Sequence, residues 1–493
     1  MFPALPPPAK VKINQQLASV SDAQLAALDH LLVVAAKGAK DDAKSWSRQK
    51  PLAGLAARLK GLETETVTLA HGERLVTVAR IAADATPFEM LEAARKWIAA
   101  ARAHKPKALG LAFAGLDESL AAAVAEAVLA ATLAAEFDMP KITAKPADAK
   151  VAIRELHIFG LAARLDFTRT IATAEGTNLA RWLATVPGNY LTPARYRKYL
   201  EALAKDFGWQ AEFLDETALK KKKAGAFLAV VQGSEDRDAG ILHLAYRPAK
   251  ARRKPVALVG KGICFDTGGN NLKTGRHMFG MHGDMQGSAV ALGTLIALTR
   301  LKADFAVDCW LALAQNHIGP KAYKMNDVVT ASDGTTIEIV HTDAEGRMVL
   351  ADTLALASQA KPSFIMDFAT LTGTCVQSLG NRYSGVFTNR EELLPDLMSA
   401  GRRSGERVWP FPQDRDYDTL LESKVADVKQ CLIEGEADHI LAGRFLGRFV
   451  KNGAPWVHVD LSASEVKGGL AHVPSDFTGF GVRFATEYLL SGK

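Results

Sequence analysis

Apolar residues recur along this chain at two periods that alternate. In the first 165 residues, the two-residue repeat of a pleated strand predicts strands over 31–35, 64–69, 75–81 and 108–113. Three- and four-residue spacing predicts helices over 52–59, 87–101 and 116–137. The last is a long Ala/Leu/Val stretch with Asp117 and Glu118 in its first turn, where negative charge favours a helix start. Residues 25–36 fit either period, so helix and strand both stay open there. A strand over 152–160 closes this segment, and a helix over 170–185 follows. Thr192 and Pro193 have the form of an N-cap and first-turn proline opening another helix. Strands are predicted next over 211–214, 227–231, 241–246 and 256–260. Such alternation predicts an α/β protein: a smaller N-terminal α/β domain, then a larger domain with a mixed, mostly parallel sheet flanked by helices.

Composition narrows the class. A chain of 493 residues, 48% hydrophobic and 23% charged, is long enough for two or three domains with substantial cores. The amino terminus lacks a basic segment followed by an apolar core, and no run of eighteen apolar residues occurs, so neither a signal peptide nor a membrane span is expected and the cytoplasm is the default location. Cys264, Cys309, Cys375 and Cys431 form no C-x-x-C pair, which argues for reduced thiols. The net charge of +6 is modest for this length; the runs at 220–223 and 252–254 read as solvated faces, and nucleic-acid binding is the minor reading.

The candidate chemistry lies in three stretches. His341-Thr342-Asp343-Ala344-Glu345-Gly346-Arg347 sits between an apolar strand and an apolar helix. In an extended strand Asp343 and Glu345 would face the same way, and two like charges side by side need a cation. Arg347 falls at a helix N-terminus, which favours an anion. The plain alternative is a solvated loop with a helix-start carboxylate. Lys261, Asp266 and Lys273 in one Gly-rich passage, and Asp284 in the next, bring the set to four carboxylates and two lysines. Oxygen ligands suit Mn²⁺, Mg²⁺ or Zn²⁺, and carboxylates shared between two ions make a bimetal centre. A phosphate loop is excluded at Gly260-Lys261, because Pro255 stands where its first glycine belongs and Gly262 where it needs Ser or Thr.

These segments resemble the leucyl aminopeptidase family, the cytosol aminopeptidases. The family's N-T-D-A-E-G-R appears as residues 341–347 with His341 first; its V-G-K-G-x-x-F-D-x-G-G-x-x-L-K block is matched by 259–273 and its M-x-x-D-M-x-G segment by 281–287. The resemblance covers about 170–493 and is weak before that. It implies an accessory domain at 1–165, a connecting helix at 166–190 and a two-metal catalytic domain at 191–493. It further implies that Asp266 and Glu345 touch both metals, that Lys261, as a neutral amine, and Asp284 complete one site, and that Asp343 completes the other. The ions would be Zn²⁺ or Mn²⁺, with Mg²⁺ a further candidate. Lys273 would polarise the scissile carbonyl or stabilise the oxyanion, and Arg347 would hold a bicarbonate-like proton shuttle. Met281, Thr370 and Gly373 would recognise the substrate side chain, and the Leu371 carbonyl would orient its backbone.

The implied protein is a cytoplasmic homohexameric metallo-aminopeptidase acting on peptides, with a leaning to N-terminal Leu or Met. Three positions depart from the family pattern: His341, Phe368 and Phe477, the last expected to narrow the side-chain pocket. The alternative from another class is an oligomeric regulatory protein that binds DNA. A two-metal phosphoesterase is weakened by the lysine ligand and the lack of a His-rich site.

Overall fold

The computed structural model describes residues 8–37, 55, 65–72, 74–144 and 152–491. The chain divides into two compact units, one comprising residues 5–174 with 468–475 and the other chiefly 175–467 with 476–493.

In the first unit, strands β1 (Lys12–Gln16), β2 (His30–Ala36), β3 (Thr66–His71), β4 (Arg74–Ile81), β5 (Ala108–Ala114) and β6 (Glu155–Phe159) form one sheet in the order β1-β6-β5-β2-β4-β3. Only the β3–β4 pairing is antiparallel. The ambiguous stretch holds both elements in turn. A Ser21–Gln24 capping box opens the short helix Asp22–Ala26, and β2 begins four residues later. The helices Pro87–Arg102 and Glu118–Glu136 are capped by Thr86 and Asp117 and pack against each other. By length and composition the 19-residue helix Glu118–Glu136 could cross a membrane, but 67% of its most apolar window is buried inside the protein, as in a core helix. The helix expected over 52–59 lies, Leu55 apart, outside the described residues.

The second unit is built on strands β7 (Gln210–Leu214), β8 (Gly240–Tyr246), β9 (Arg253–Asp266), β10 (Phe305–Asn316), β11 (Val328–Thr330), β12 (Thr336–Glu338), β13 (Phe364–Ala369), β14 (Ser384–Thr388), β15 (Val408–Pro410), β16 (Val428–Lys429) and β17 (Trp456–Asp460). Eight of them form a mixed sheet ordered β15-β14-β17-β13-β9-β10-β8-β7, and β11, β12 and β16 make a small one. The four central strands β17, β13, β9 and β10 are mutually parallel, so their carboxyl ends open on one edge, where α/β sheets place ligands. Helices Gln286–Arg300 and Glu345–Gln359 pack on this centre and are buried along nearly their whole length.

One predicted strand is a helix. Residues 227–231 belong to Gly225–Val231, because a short, wholly apolar run carries no period of its own. Its state is set from a distance: the buried Asp352 carboxylate accepts the Phe227 N–H (2.8 Å) at the helix start and the Ser332 N–H (2.6 Å). Phe368 is wholly buried in β13 and belongs to the core.

Candidate metal centre

Lys261 lies within β9 and Asp266 ends it. After Asp266 the chain turns through Gly268 and Gly269, both with positive φ (87° and 64°), which L side chains rarely adopt. The turn returns Lys273 to the same place. Its ammonium sits 3.0 Å from Asp266 Oδ2 and 2.5 Å from Asp343 Oδ1. The Lys261 ammonium lies 2.9 Å from both Asp284 Oδ1 and Glu345 Oε1 and donates to the Thr370 carbonyl (2.9 Å). Gly346 leaves room for it, since a Cβ there would come within 2.7 Å of Lys261 Cε and Nζ and push the ammonium from this position. Asp284 follows the short turn Met281–Gly283 and accepts a 2.7 Å hydrogen bond from the Thr370 hydroxyl. All four carboxylates and both lysines predicted from the sequence therefore meet in one cavity of about 910 Å³.

The 341–347 segment corrects the expectation of an extended strand. Residues 342 and 343 form a turn, and Glu345 is the first residue of a helix. The His341 ring closes the turn, its Nδ1 accepting the Asp343 N–H (3.2 Å) while the Ala344 N–H reaches the His341 carbonyl (3.1 Å). Asp343 and Glu345 converge through a turn and a helix start rather than through a pleat.

Partners that sequence reasoning missed hold these loops in register. Asn316, at the end of β10, donates to Asp266 Oδ1 (2.8 Å) and the Thr342 carbonyl (3.0 Å), and Tyr323 donates to that carbonyl (2.7 Å). The Thr342 hydroxyl donates to the Gly268 carbonyl (2.7 Å) and accepts the Asn271 N–H (2.7 Å). Their only signal was polarity at the end of an apolar run or inside the motif itself. Asp460, at the end of β17, accepts the Thr372 hydroxyl (2.6 Å) and the Leu371 N–H (3.1 Å), which fixes the turn carrying Thr370, Leu371 and Gly373 along the cavity.

Arg347 is buried, with its guanidinium donating to both Asp438 oxygens (2.8 Å each) and to the Gln430 carbonyl (3.0 Å). Only Nε lacks a hydrogen-bond partner. The predicted anion-binding arginine thus has a protein carboxylate on its fork. Met281 lines the cavity, but Phe477 is not among the lining residues. Its ring fills the space left by the absent side chain of Gly283, where a Cβ would be 2.7 Å from Cε1, and meets the His282 ring edge-on at 5.6 Å.

The electrostatics suit cations. Burial, then the neighbouring Asp266 carboxylate, pushes Asp343 and Glu345 above the usual carboxylate range; burial raises Asp284 too, against the opposing pull of Lys261. Burial would lower Lys261, but Asp284, Glu345 and Asp266 outweigh it and hold the amine protonated, so ligating a metal requires that proton to leave. Oxygens of Asp266, Asp343 and Glu345 lie within 4.8 Å of one another. Buried Asp284 Oδ2 has no hydrogen-bond partner, while Asp343 Oδ1 and Glu345 Oε1 face the Lys273 and Lys261 ammonium groups. Four carboxylates against two ammonium groups leave an excess of negative charge in a low-dielectric site, which fits divalent ions.

The profile of the cytosol aminopeptidase family catalytic domain matches residues 178–486. The chain belongs to this family. A probable cytosol aminopeptidase of Persephonella marina is 39% identical over 320 residues, 64% of each chain, and one of Rhodopseudomonas palustris is 38% identical over 71% of this chain and 70% of its own. The match to the Persephonella marina family member spans just under two thirds of that protein's length. Among solved structures, a tomato leucine aminopeptidase mutant superposes with a TM-score of 0.83 at 27% identity, covering 98% of this chain and 97% of its own.

Proposed function

We propose that this protein is a two-metal aminopeptidase that removes the N-terminal residue from peptides. The observation that supports this reading most is the meeting of Lys261, Asp266, Asp284, Asp343 and Glu345 in one buried cluster, with Lys273 beside them and the acids outnumbering the lysines. Asp266 and Glu345 would serve both ions, Lys261 and Asp284 one of them, and Asp343 the other. Bound Zn²⁺ or Mn²⁺, or Mg²⁺, supplies an acidified water and polarises the scissile carbonyl.

The remaining work falls to the chain. Asp284 accepts the substrate's free α-amine, which an internal peptide nitrogen cannot offer, so cleavage is confined to the terminus. Lys273 places its ammonium where negative charge develops on the carbonyl oxygen. The turn held by Asp460 presents the Leu371 carbonyl to the substrate backbone, with Met281, Thr370 and Gly373 around its side chain. A bicarbonate-like proton carrier at Arg347 has Nε available in the present arrangement, and would engage the rest of the fork only by displacing Asp438. The working form is a cytoplasmic homohexamer, as the family relation suggests.

The test is hydrolysis of aminoacyl amides by the full chain. Activity is expected to vanish with a chelator and return with Mn²⁺ or Zn²⁺. Metal-loaded protein that cleaves no aminoacyl amide refutes the reading.

A further inference from the structure

The cavity holds one carboxylate that neither the cation cluster nor the fold accounts for. Asp266, Asp284, Asp343 and Glu345 face the two lysines, Asp438 holds Arg347, and Asp460 holds the Thr372 turn. Glu465 also lines the cavity, and among the described residues its carboxylate meets no cation and accepts no hydrogen bond. Lys467 lines the cavity as well, without pairing to it.

The backbone holds Glu465 in place. It forms an isolated antiparallel bridge with Phe477, flanked by hydrogen bonds from Val466 N to Asp476 O (2.8 Å) and from Thr478 N to Ser464 O (2.9 Å). The Phe477 ring lies against Gly283, one residue before Asp284, and Gln286 donates to the Ser464 hydroxyl (3.3 Å). Glu465 therefore stands on the wall beside Met281 and Asp284, next to where the substrate's α-amine and first side chain would lie. Glu465 is exposed to the solvent of the cavity, so its carboxylate is open to a bound cation; partial burial, then the nearby Asp476, pushes its carboxyl upward. Ser462, Ser464 and Gln286 bring hydroxyls and an amide to the wall around it, beside the apolar Met281 and Leu461, so the lining offers a long side chain both an apolar stretch and a polar end.

We infer that Glu465 is a specificity-determining residue, selecting peptides whose N-terminal residue carries a cationic side chain, lysine or arginine, over apolar residues of similar length. This rests on the aminopeptidase reading above.

The experiment compares kcat/KM of the full-length, metal-loaded protein on Lys, Arg, Leu and Met amides, for wild type, Glu465→Gln and Glu465→Met. Wild type should prefer Lys to Met, and added salt should narrow that preference because the pair is reached by solvent. Glu465→Gln should lower the Lys:Met ratio about tenfold, and Glu465→Met should invert it. The ratio is internal to each variant, so partial loss of folded protein does not disturb it. An unchanged ratio in both variants overturns the inference, as does a Glu465 dependence that follows lysine in the second position rather than the first. If wild type cleaves Leu and Met amides while the ratio stays fixed, this inference alone falls; if it cleaves none of the amides, the aminopeptidase reading falls with it.

Discussion

The two units share an architecture, a largely parallel sheet with helices on it, and differ in what they bury. In the six-stranded unit β2 and β5 are lined with Leu31, Val33, Leu109 and Leu111, all fully buried, and the long helix beside them is Ala, Val and Leu on its inner face. In the eight-stranded unit the carboxyl ends of the central strands bury Lys261, Asp266, Asp284 and Glu345 almost completely. A charge held that deep is tolerated only with a partner: the first unit buries Glu136 against Arg102, while the second gathers four acids and two lysines in one cluster. The family match, 178–486, falls almost wholly on the second unit. Layering alone says little about function.

The sharpest way to break this contrast is to remove one ligand. Glu345→Gln keeps the shape but leaves a neutral amide against Lys261, and kcat/KM on a reactive amide should fall by a factor on the order of 1,000 or more, with bound metal reduced. Lys273→Ala should fall by a factor on the order of 100–1,000 with metal retained, because that ammonium acts on the substrate. Metal analysis beside the kinetics separates the two. By contrast, Leu111→Ala in the first unit should cost about 3 kcal/mol of stability through the cavity it opens, read as a lower unfolding midpoint, while turnover below that midpoint is kept.

Much of this was legible in the sequence because it is local. Caps at Thr86, Asp117 and Thr192 lie beside the turns they close, and each starts a helix as its residue type requires. The meeting of the four acids and two lysines was legible because the motifs that carry them resemble one family's and stand at its spacing. What escaped depends on distant partners. Helix Gly225–Val231 starts on a carboxylate more than a hundred residues away, Phe477 is drawn under Gly283 by a missing side chain, and Asp438 finds Arg347 only in the folded chain. Glu465 gave no signal, because a lone glutamate in a polar loop looks like any solvated one.

Smaller effects sharpen the same comparison. Asp352 is buried in the second unit and held up at about 6 by burial, above its unfolded value of 3.8. The folded state then binds more protons than the unfolded one between those values. Its contribution to stability is fully present below 3.8 and is lost as pH rises through about 6. The Tm of wild type relative to Asp352→Asn should therefore decline over that window, and a flat difference would contradict the linkage. In the first unit, Thr86→Ala removes a capping hydroxyl from helix Pro87–Arg102 and should cost about 1 kcal/mol, with no pH dependence near neutrality.

The central claim is that these five side chains cage a pair of divalent ions. Crystals grown with Mn²⁺ and measured at its absorption edge test it directly. The account predicts two anomalous peaks per subunit, roughly 3.5–4 Å apart, with Asp266 and Glu345 between them and Lys261, Asp284 and Asp343 completing the shell. Fully loaded crystals with no peak in this cavity, or with manganese only at other residues, would contradict it.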